Sequence, residues 1–366
     1  MKIAYSQQRD LPVVPNRNEI VWKDGNWVFE GEGDWAGKNT PGRMWGLRGR
    51  DGKQIWHVDE APYFEPHILL GDVLIDRNGY SYDLGTGKRH LRTNPLTGRK
   101  EPWHFRKGGC NHLVACPTLI TWRNAYYDLA DHSGSMPLHG MNMGCTPTML
   151  PAGGVLNVPN FGTHHKRSRM TALALVHRPE NRLWTQLNTS REKLTAPPVA
   201  LRRAGFNFGA PGDRFAEDGT LWLSTTARKS EDVELTPKEI DWFRLEPGDA
   251  DAWIVSSGVQ NVSEIAIPMV VTTDKNARQS DDEKRRYDVR LYFAEPEPLR
   301  PGQRVFTVSL EGNPVVKDLD VVKATGGPHQ PLVCELKNVE IQGALDLAFT
   351  ASKGRPLLCG VEVVAR

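Results

Sequence analysis

The stretch Tyr287-Asp-Val-Arg-Leu-Tyr-Phe-Ala-Glu295, followed by Pro301-Gly-Gln-Arg-Val-Phe306, Ser309-Leu-Glu-Gly312 and Lys317-Asp-Leu-Asp320, decides the fold class. Side chains of a strand alternate between its two faces, so Tyr287, Val289, Leu291 and Phe293 share one face, with Asp288, Arg290 and Tyr292 on the other. Leu291 and Phe293 are expected in the core under this register; Tyr292 is expected to be exposed or to face a ligand. A Pro/Gly turn leads into a second strand and an acidic Gly turn into a third, the pattern of an antiparallel sandwich. Val305, Leu310, Leu319, Val321, Leu336, Leu345, Leu347, Phe349 and Val361 continue the apolar set, and Trp222, inside Leu-Trp-Leu, reads as core. The expected class is all-β.

Composition sets bounds on the rest. A chain of 366 residues accommodates two domains. Its 46 Lys plus Arg against 44 Asp plus Glu give no overall field favouring nucleic acid. The local runs His164-His-Lys-Arg-Ser-Arg169 and Asp281-Asp-Glu-Lys-Arg-Arg286 read as solvated loops. The 34 Gly and 26 Pro suit many short strands. Eleven Trp is a rich supply of flat rings able to stack on sugars, and Trp242, beside Phe243 in a polar stretch, is the best exposed candidate. The five Cys are odd in number and lack zinc spacing, which excludes a closed disulfide framework. Cys116, Cys334 and Cys359 sit among apolar neighbours and are expected to pack as small hydrophobes. No apolar run approaches the roughly 18 residues of a membrane helix, and the first ten residues lack the apolar core of a secretory signal.

Residues 1–190 contain a worn repeat: Leu47-Arg-Gly-Arg-Asp-Gly-Lys-Gln-Ile-Trp56, Tyr82-Asp-Leu-Gly-Thr-Gly-Lys88, Tyr127-Asp-Leu-Ala-Asp-His-Ser-Gly134 and Leu175-Val-His-Arg-Pro-Glu-Asn-Arg-Leu-Trp184. Each copy is a strand, an Asp/Gly turn and a strand, at the spacing of β-propeller blades. The repeat resembles the Ala-x-Asp-x-x-Thr-Gly-Lys-x-x-Trp motif of pyrroloquinoline-quinone (PQQ) enzymes and their cofactor-free relatives. There the turn closes a hairpin and the Trp packs between blades, a structural role that implies no bound quinone. The segments Asn94-Pro-Leu-Thr-Gly98, Gly109-Cys-Asn-His112, Gly144-Cys-Thr146, Pro151-Ala-Gly-Gly154 and Ala172-Leu-Ala-Leu-Val176 resemble the last blades of large exported bacterial proteins of planctomycete type. Those proteins join a PQQ-like propeller to a terminal malectin-like module. The resemblance implies a partial propeller over 1–190, a linker over 191–203, a sandwich over 204–366, and an extracellular or periplasmic location. Three or four blades would leave open sheet edges, so self-association into a homo-oligomer is expected.

The sandwich strands, together with Phe206-Asn-Phe-Gly-Ala-Pro-Gly212 and Asp218-Gly-Thr-Leu-Trp222, resemble malectin and malectin-like domains. The resemblance implies carbohydrate, a polysaccharide or oligosaccharide, as partner. In malectin an aromatic pair after the Phe-x-Glu strand and an Asp before the final strand read the sugar. Here those places hold Pro296-Glu-Pro-Leu299 and Lys353-Gly-Arg-Pro356, so a malectin-type diglucose is not the expected ligand. The candidate contacts are Trp242, Tyr292, Glu295 and Arg304. Two other readings stay open. One is a polysaccharide lyase or glycoside hydrolase with its site on the propeller. His112, Arg123, Tyr126 and His139 would supply base and cation, and His112, His164 and His165 would hold a divalent metal. The other is a purely structural assembly module.

Overall fold

The computed structural model describes residues 13–16, 19–23, 26–30, 42–48, 51–61, 67–76, 79–103, 105, 113–123, 125–129, 135–138, 149–158, 171–174, 199–225, 233–237, 240–245, 253–271 and 283–366, and structural statements concern these. They form two compact units, Met1–Thr93 with Lys100–Ser190, and Asn94–Arg99 with Arg191–Arg366. Both are built from short, mostly antiparallel strands, so the fold is all-β.

In the N-terminal unit most described strands pair with their sequence neighbours, although Val13–Asn16 pairs with Gly42–Leu47 across an intervening hairpin. Gly42–Leu47 pairs with Gln54–Ala61, and Ile68–Leu70, Val73–Ile75 and Ser81–Asp83 form a meander. Val114–Ala115, Leu119–Thr121, Ala125–Asp128 and Ser135–Pro137 form a four-stranded meander, and Leu150–Ala152, Val155–Val158 and Thr171–Ala174 a three-stranded one. The Asp-Leu-Gly-Thr-Gly turn is closed by Asp83, whose Oδ1 accepts from the Thr86 amide at 2.8 Å and the Thr86 hydroxyl at 2.7 Å. Gly87 adopts φ of 69° there, a conformation costly for any residue with a Cβ. Its missing side chain leaves room for the Trp56 ring, which also covers Gly46 and donates its indole N–H to the Leu84 carbonyl at 2.9 Å. The tryptophan that ends one copy of the repeat thus packs on the turn of the next.

The strands of the C-terminal unit are β1 (Arg203–Phe208), β2 (Arg214–Phe215), β3 (Leu221–Thr225), β4 (Glu234–Thr236), β5 (Asp241–Arg244), β6 (Ser257–Gln260), β7 (Glu264–Pro268), β8 (Lys284–Phe293), β9 (Val305–Leu310), β10 (Asn313–Leu319), β11 (Leu332–Gln342), β12 (Ala344–Lys353), β13 (Leu357–Leu358) and β14 (Gly360–Ala365). Preceding them, Val199–Ala200 pairs with Val270–Val271. The hydrogen-bonded order is β2-β3-β1-β14-β8-β11-β12-β7-β4, with β9 joining β12 to β10; β5, β6 and β13 form a separate small sheet. Strands β11 and β12 share one residue pair at their connecting Gly343, so the sheet turns a corner there. Among the described residues of this unit the α-helix is a short one, α1 (Val321–Thr325), capped by the Asp320 carboxylate, which accepts from the Lys323 amide.

The alternation of β8 gives the core. Tyr287, Val289, Leu291 and Phe293 are all fully buried, with Phe306, Val308, Leu345, Leu347 and Val361 also inside. Val305 and Leu336, expected inside, are only half-buried. The charged run 284–286, read as loop, is the start of β8. Cross-strand ion pairs hold it: Lys284 Nζ reaches Glu340 at 2.9 Å and Arg286 reaches the same carboxylate at 3.6 Å. Of the three cysteines expected to pack as hydrophobes, Cys359 is buried, whereas Cys116 and Cys334 are half-buried.

Trp222 is the largest side chain on the face opposite this core and is buried. Its ring lies over Gly205 on β1 and against Gly360 on β14, where a Cβ at Gly205 would overlap the indole. Gly205→Ala is expected to destabilise the C-terminal unit by about 1–3 kcal/mol, the usual cost of overpacking. The check is the urea midpoint of that unit's unfolding.

Candidate functional site

Strand β8 ends at Phe293, and the chain runs on through Ala294 and Glu295, both buried. Arg304, buried just before β9, meets Glu295 with Nε 3.0 Å from Oε2. This pair is held by charge at close range and is not an aligned hydrogen bond. The aligned bonds run elsewhere: Arg304 Nη1 donates to Gln260 Oε1 at 2.8 Å and Nη2 to Glu297 Oε1 at 2.9 Å. Glu295 Oε1 accepts from the Glu297 amide at 3.0 Å. Burial pushes the Glu295 carboxyl above the ordinary range, against the opposing effects of the Glu297 amide and the Arg304 charge.

An exposed layer is built on this buried one. Glu297 Oε1 also lies 3.4 Å from Arg355 Nη2, and Arg355 Nη1 donates to Asp241 Oδ2 at 2.6 Å. Side-chain exposure climbs from 1% at Glu295 and 5% at Arg304 to 40% at Glu297, 50% at Arg355 and 56% at Asp241, so the outer three reach solvent while the inner pair fixes them. Asp241 and Gln260 are cross-strand partners on β5 and β6, so strand pairing sets their spacing. The result is an alternating row of carboxylates and guanidinium groups across the segments 296–299 and 353–356. Carboxylates only accept and guanidinium groups only donate. Such a row matches adjacent hydroxyls, each of which can do both.

A second polar cluster lies on the face of the sheet that carries Trp222. Glu362, buried on β14, accepts from the Thr220 hydroxyl at 2.9 Å, Arg290 Nη1 at 3.0 Å and the Tyr292 hydroxyl at 3.2 Å. Tyr292 packs edge-on against Trp222 with centroids 5.2 Å apart. Burial first, and the Glu362 charge second, push its phenol up to about 12. These bonds tie β14 to β8 and to the start of β3, so the cluster fastens strands together.

Of the four residues expected to touch carbohydrate, Glu295 and Arg304 come together. Tyr292 belongs to the other cluster and is half-buried rather than presented to solvent. Trp242 is half-buried with its ring 3.4 Å from the position of a Cβ on Gly209, and as the neighbour of Asp241 on β5 it points to the opposite face. Asp241, Gln260, Glu297, Arg355 and Glu362 were not among the expected site residues. The only sequence signal for Glu297 and Arg355 was their place in the two segments where malectin carries its sugar contacts. Arg123 and Tyr126 lie on or beside the four-stranded meander of the N-terminal unit, both half-buried and both engaged with neighbours. His112, His139, His164 and His165 lie outside the described residues. Among the described residues no three His, Cys, Asp or Glu side chains are grouped to hold a metal, and no helix is long and apolar enough to cross a membrane.

Residues 280–356 match the malectin domain family. Both 296–299 and 353–356 fall inside that span. No curated protein matches the chain. Solved structures similar to it include the Bacteroides uniformis β-glucuronidase (14% identity, TM-score 0.34, 45% of this chain and 18% of that one). They also include the ANX2 ectodomain from Arabidopsis thaliana (16% identity, TM-score 0.33, 44% and 42%). A third is a calcium-binding mutant of Bacteroides uniformis β-glucuronidase 2 (12% identity, TM-score 0.37, 72% and 28%). The chain therefore spans less than half the length of each of these proteins.

Removing the buried cation isolates the cost of the buried anion. Arg304→Met is expected to lose about 3–5 kcal/mol at pH 7, the cost of stranding a buried charge. A carboxyl whose folded pKa is raised binds its proton more readily when folded, so the variant regains stability as pH falls towards the unfolded carboxylate range. Urea unfolding at pH 7 and pH 5 should show a smaller deficit at pH 5, and Glu295→Gln added to Arg304→Met should remove most of that pH dependence.

Proposed function

We propose that the C-terminal unit is a carbohydrate-recognition module that binds sugar along the row Glu297, Arg355 and Asp241. The observation that carries this reading is the meeting of 296–299 with 353–356 through Arg355 and Glu297. Both segments lie within the malectin domain match, and the sequence resemblance implies that they occupy the places of malectin's sugar contacts. In this chain the aromatic pair and the Asp are replaced by ion-paired groups, so recognition rests on hydrogen bonds to ring hydroxyls. Charged partners make such bonds about twice as strong as neutral ones.

The N-terminal unit is read, within the same proposal, as a partial PQQ-like propeller. Its sequential antiparallel meanders support this, as does the packing of Trp56 on the Asp83–Gly87 turn. In this role it would present the sandwich to a polysaccharide outside the cytoplasm and join copies through open strand edges.

A glycan array probed with the full chain tests the central part. Binding to at least one glycan is expected, with Arg355→Ala and Glu297→Gln each weakening it tenfold or more, about 1.4 kcal/mol. Arg355 is substantially exposed and Gln at 297 keeps an oxygen to accept from Arg304 Nη2, so the melting temperature should stay near that of the parent in Arg355→Ala and fall only slightly in Glu297→Gln. Absence of binding to every glycan, or full affinity in both variants, contradicts the proposal.

A further inference from the structure

The N-terminal unit holds a wide-mouthed, open cavity of about 580 Å³ lined by Leu70, Val73, Ile75, Trp103, Pro117 and Leu129, with Gly71, Ser81, His90 and Leu91 also on its described wall. Its volume is within the range of small-molecule sites, roughly 300–1,000 Å³. The wall is continuous with a packed aromatic core: Trp103 meets Tyr127 edge-on at 5.4 Å and Phe105 at 5.9 Å, so the cavity is backed by fixed side chains.

One polar feature interrupts the apolar wall. The Ser81 hydroxyl lies 3.2 Å from His90 Nδ1, and the strand ladder holds both residues in place: the His90 amide donates to the Ser81 carbonyl at 2.9 Å, and the Trp103 amide to the His90 carbonyl at 2.7 Å. Whichever of the two side chains donates to the other, the pair keeps capacity for one more hydrogen bond. Ser81 itself is 3% exposed, a hydroxyl placed where water has little access. At the rim, Leu91 is 60% exposed, the most exposed of the large apolar side chains among the described residues. A single exposed apolar side chain is ordinary on a protein surface; at this rim it adds apolar surface to the mouth of the cavity.

We infer that this cavity binds a neutral, predominantly apolar small molecule carrying one hydroxyl, with the apolar body against Trp103, Leu129 and Leu91 and the hydroxyl on the Ser81–His90 pair. The described wall bears no Asp, Glu, Lys or Arg, which disfavours a charged ligand. This inference concerns a different unit and a different ligand chemistry from the carbohydrate proposal, so either stands without the other.

The test uses the full chain and two probes, 1-naphthol and naphthalene, followed by isothermal titration. Saturable 1-naphthol binding is expected. Leu91→Glu, at an exposed position that leaves the fold intact, should abolish binding of both probes. Ser81→Ala should weaken 1-naphthol about tenfold, the loss of one hydrogen bond, and leave naphthalene unchanged. Failure of 1-naphthol to saturate, equal binding by the parent and Leu91→Glu, or equal 1-naphthol affinity in Ser81→Ala would each overturn the inference.

Discussion

The buried contact between Glu295 and Arg304 governs how the end of the C-terminal sandwich is arranged. A carboxylate and a guanidinium group removed from water must be paired and hydrogen-bonded or they destabilise the fold. Satisfying them recruits Gln260 from β6 and both the amide and the carboxylate of Glu297. With Glu297 fixed, Arg355 is drawn towards it, and Asp241 completes the outer row. Two segments far apart in the chain are thereby held in one place. A buried ion pair adds little net stability over well-packed apolar residues. Its consequence in this sandwich is geometric: it positions the exposed groups that are proposed to meet sugar.

Strand β8 links that end to the body of the sheet through its two faces. From Tyr287 onward one face is entirely core; the other carries Arg290 and Tyr292 to the buried Glu362. Cross-strand pairing runs in a row from Arg214 to Trp222, Gly205, Glu362, Arg290 and Glu335. The glycine in that row lets the indole of Trp222 lie flat across the sheet and reach Tyr292. Hydrophobic burial on one side and the bonds of Arg290 and Tyr292 to Glu362 on the other fix the register of β8, and hence the direction in which its continuation, Glu295, points.

The core of β8 was legible because an apolar face at period two leaves no alternative register once buried. Tyr292 is half-buried for a reason local sequence does not contain: Trp222, which arrives across two glycines on other strands, packs against its ring. The charged start of β8 looked like loop, yet Glu340 on the neighbouring strand turns its cations into cross-strand partners. Cys334 was expected inside because its neighbours are apolar; it shares its face of β11 with Leu332 and Leu336, which are half-buried as it is. Glu295 and Arg304 were picked from the sequence, whereas Glu297, Arg355 and Asp241 were not. Their roles arise from a meeting of loops that no spacing within either segment encodes.

Amide hydrogen exchange on the full chain, with and without a saturating mixture of gluco-, galacto- and uronate oligosaccharides, tests the central claim most directly. The account predicts that added sugar slows exchange at 297–299 and 353–355 together, with β8 unchanged because it is already protected. Sugar-dependent protection confined to other parts of the chain, with both segments exchanging as before, would contradict it.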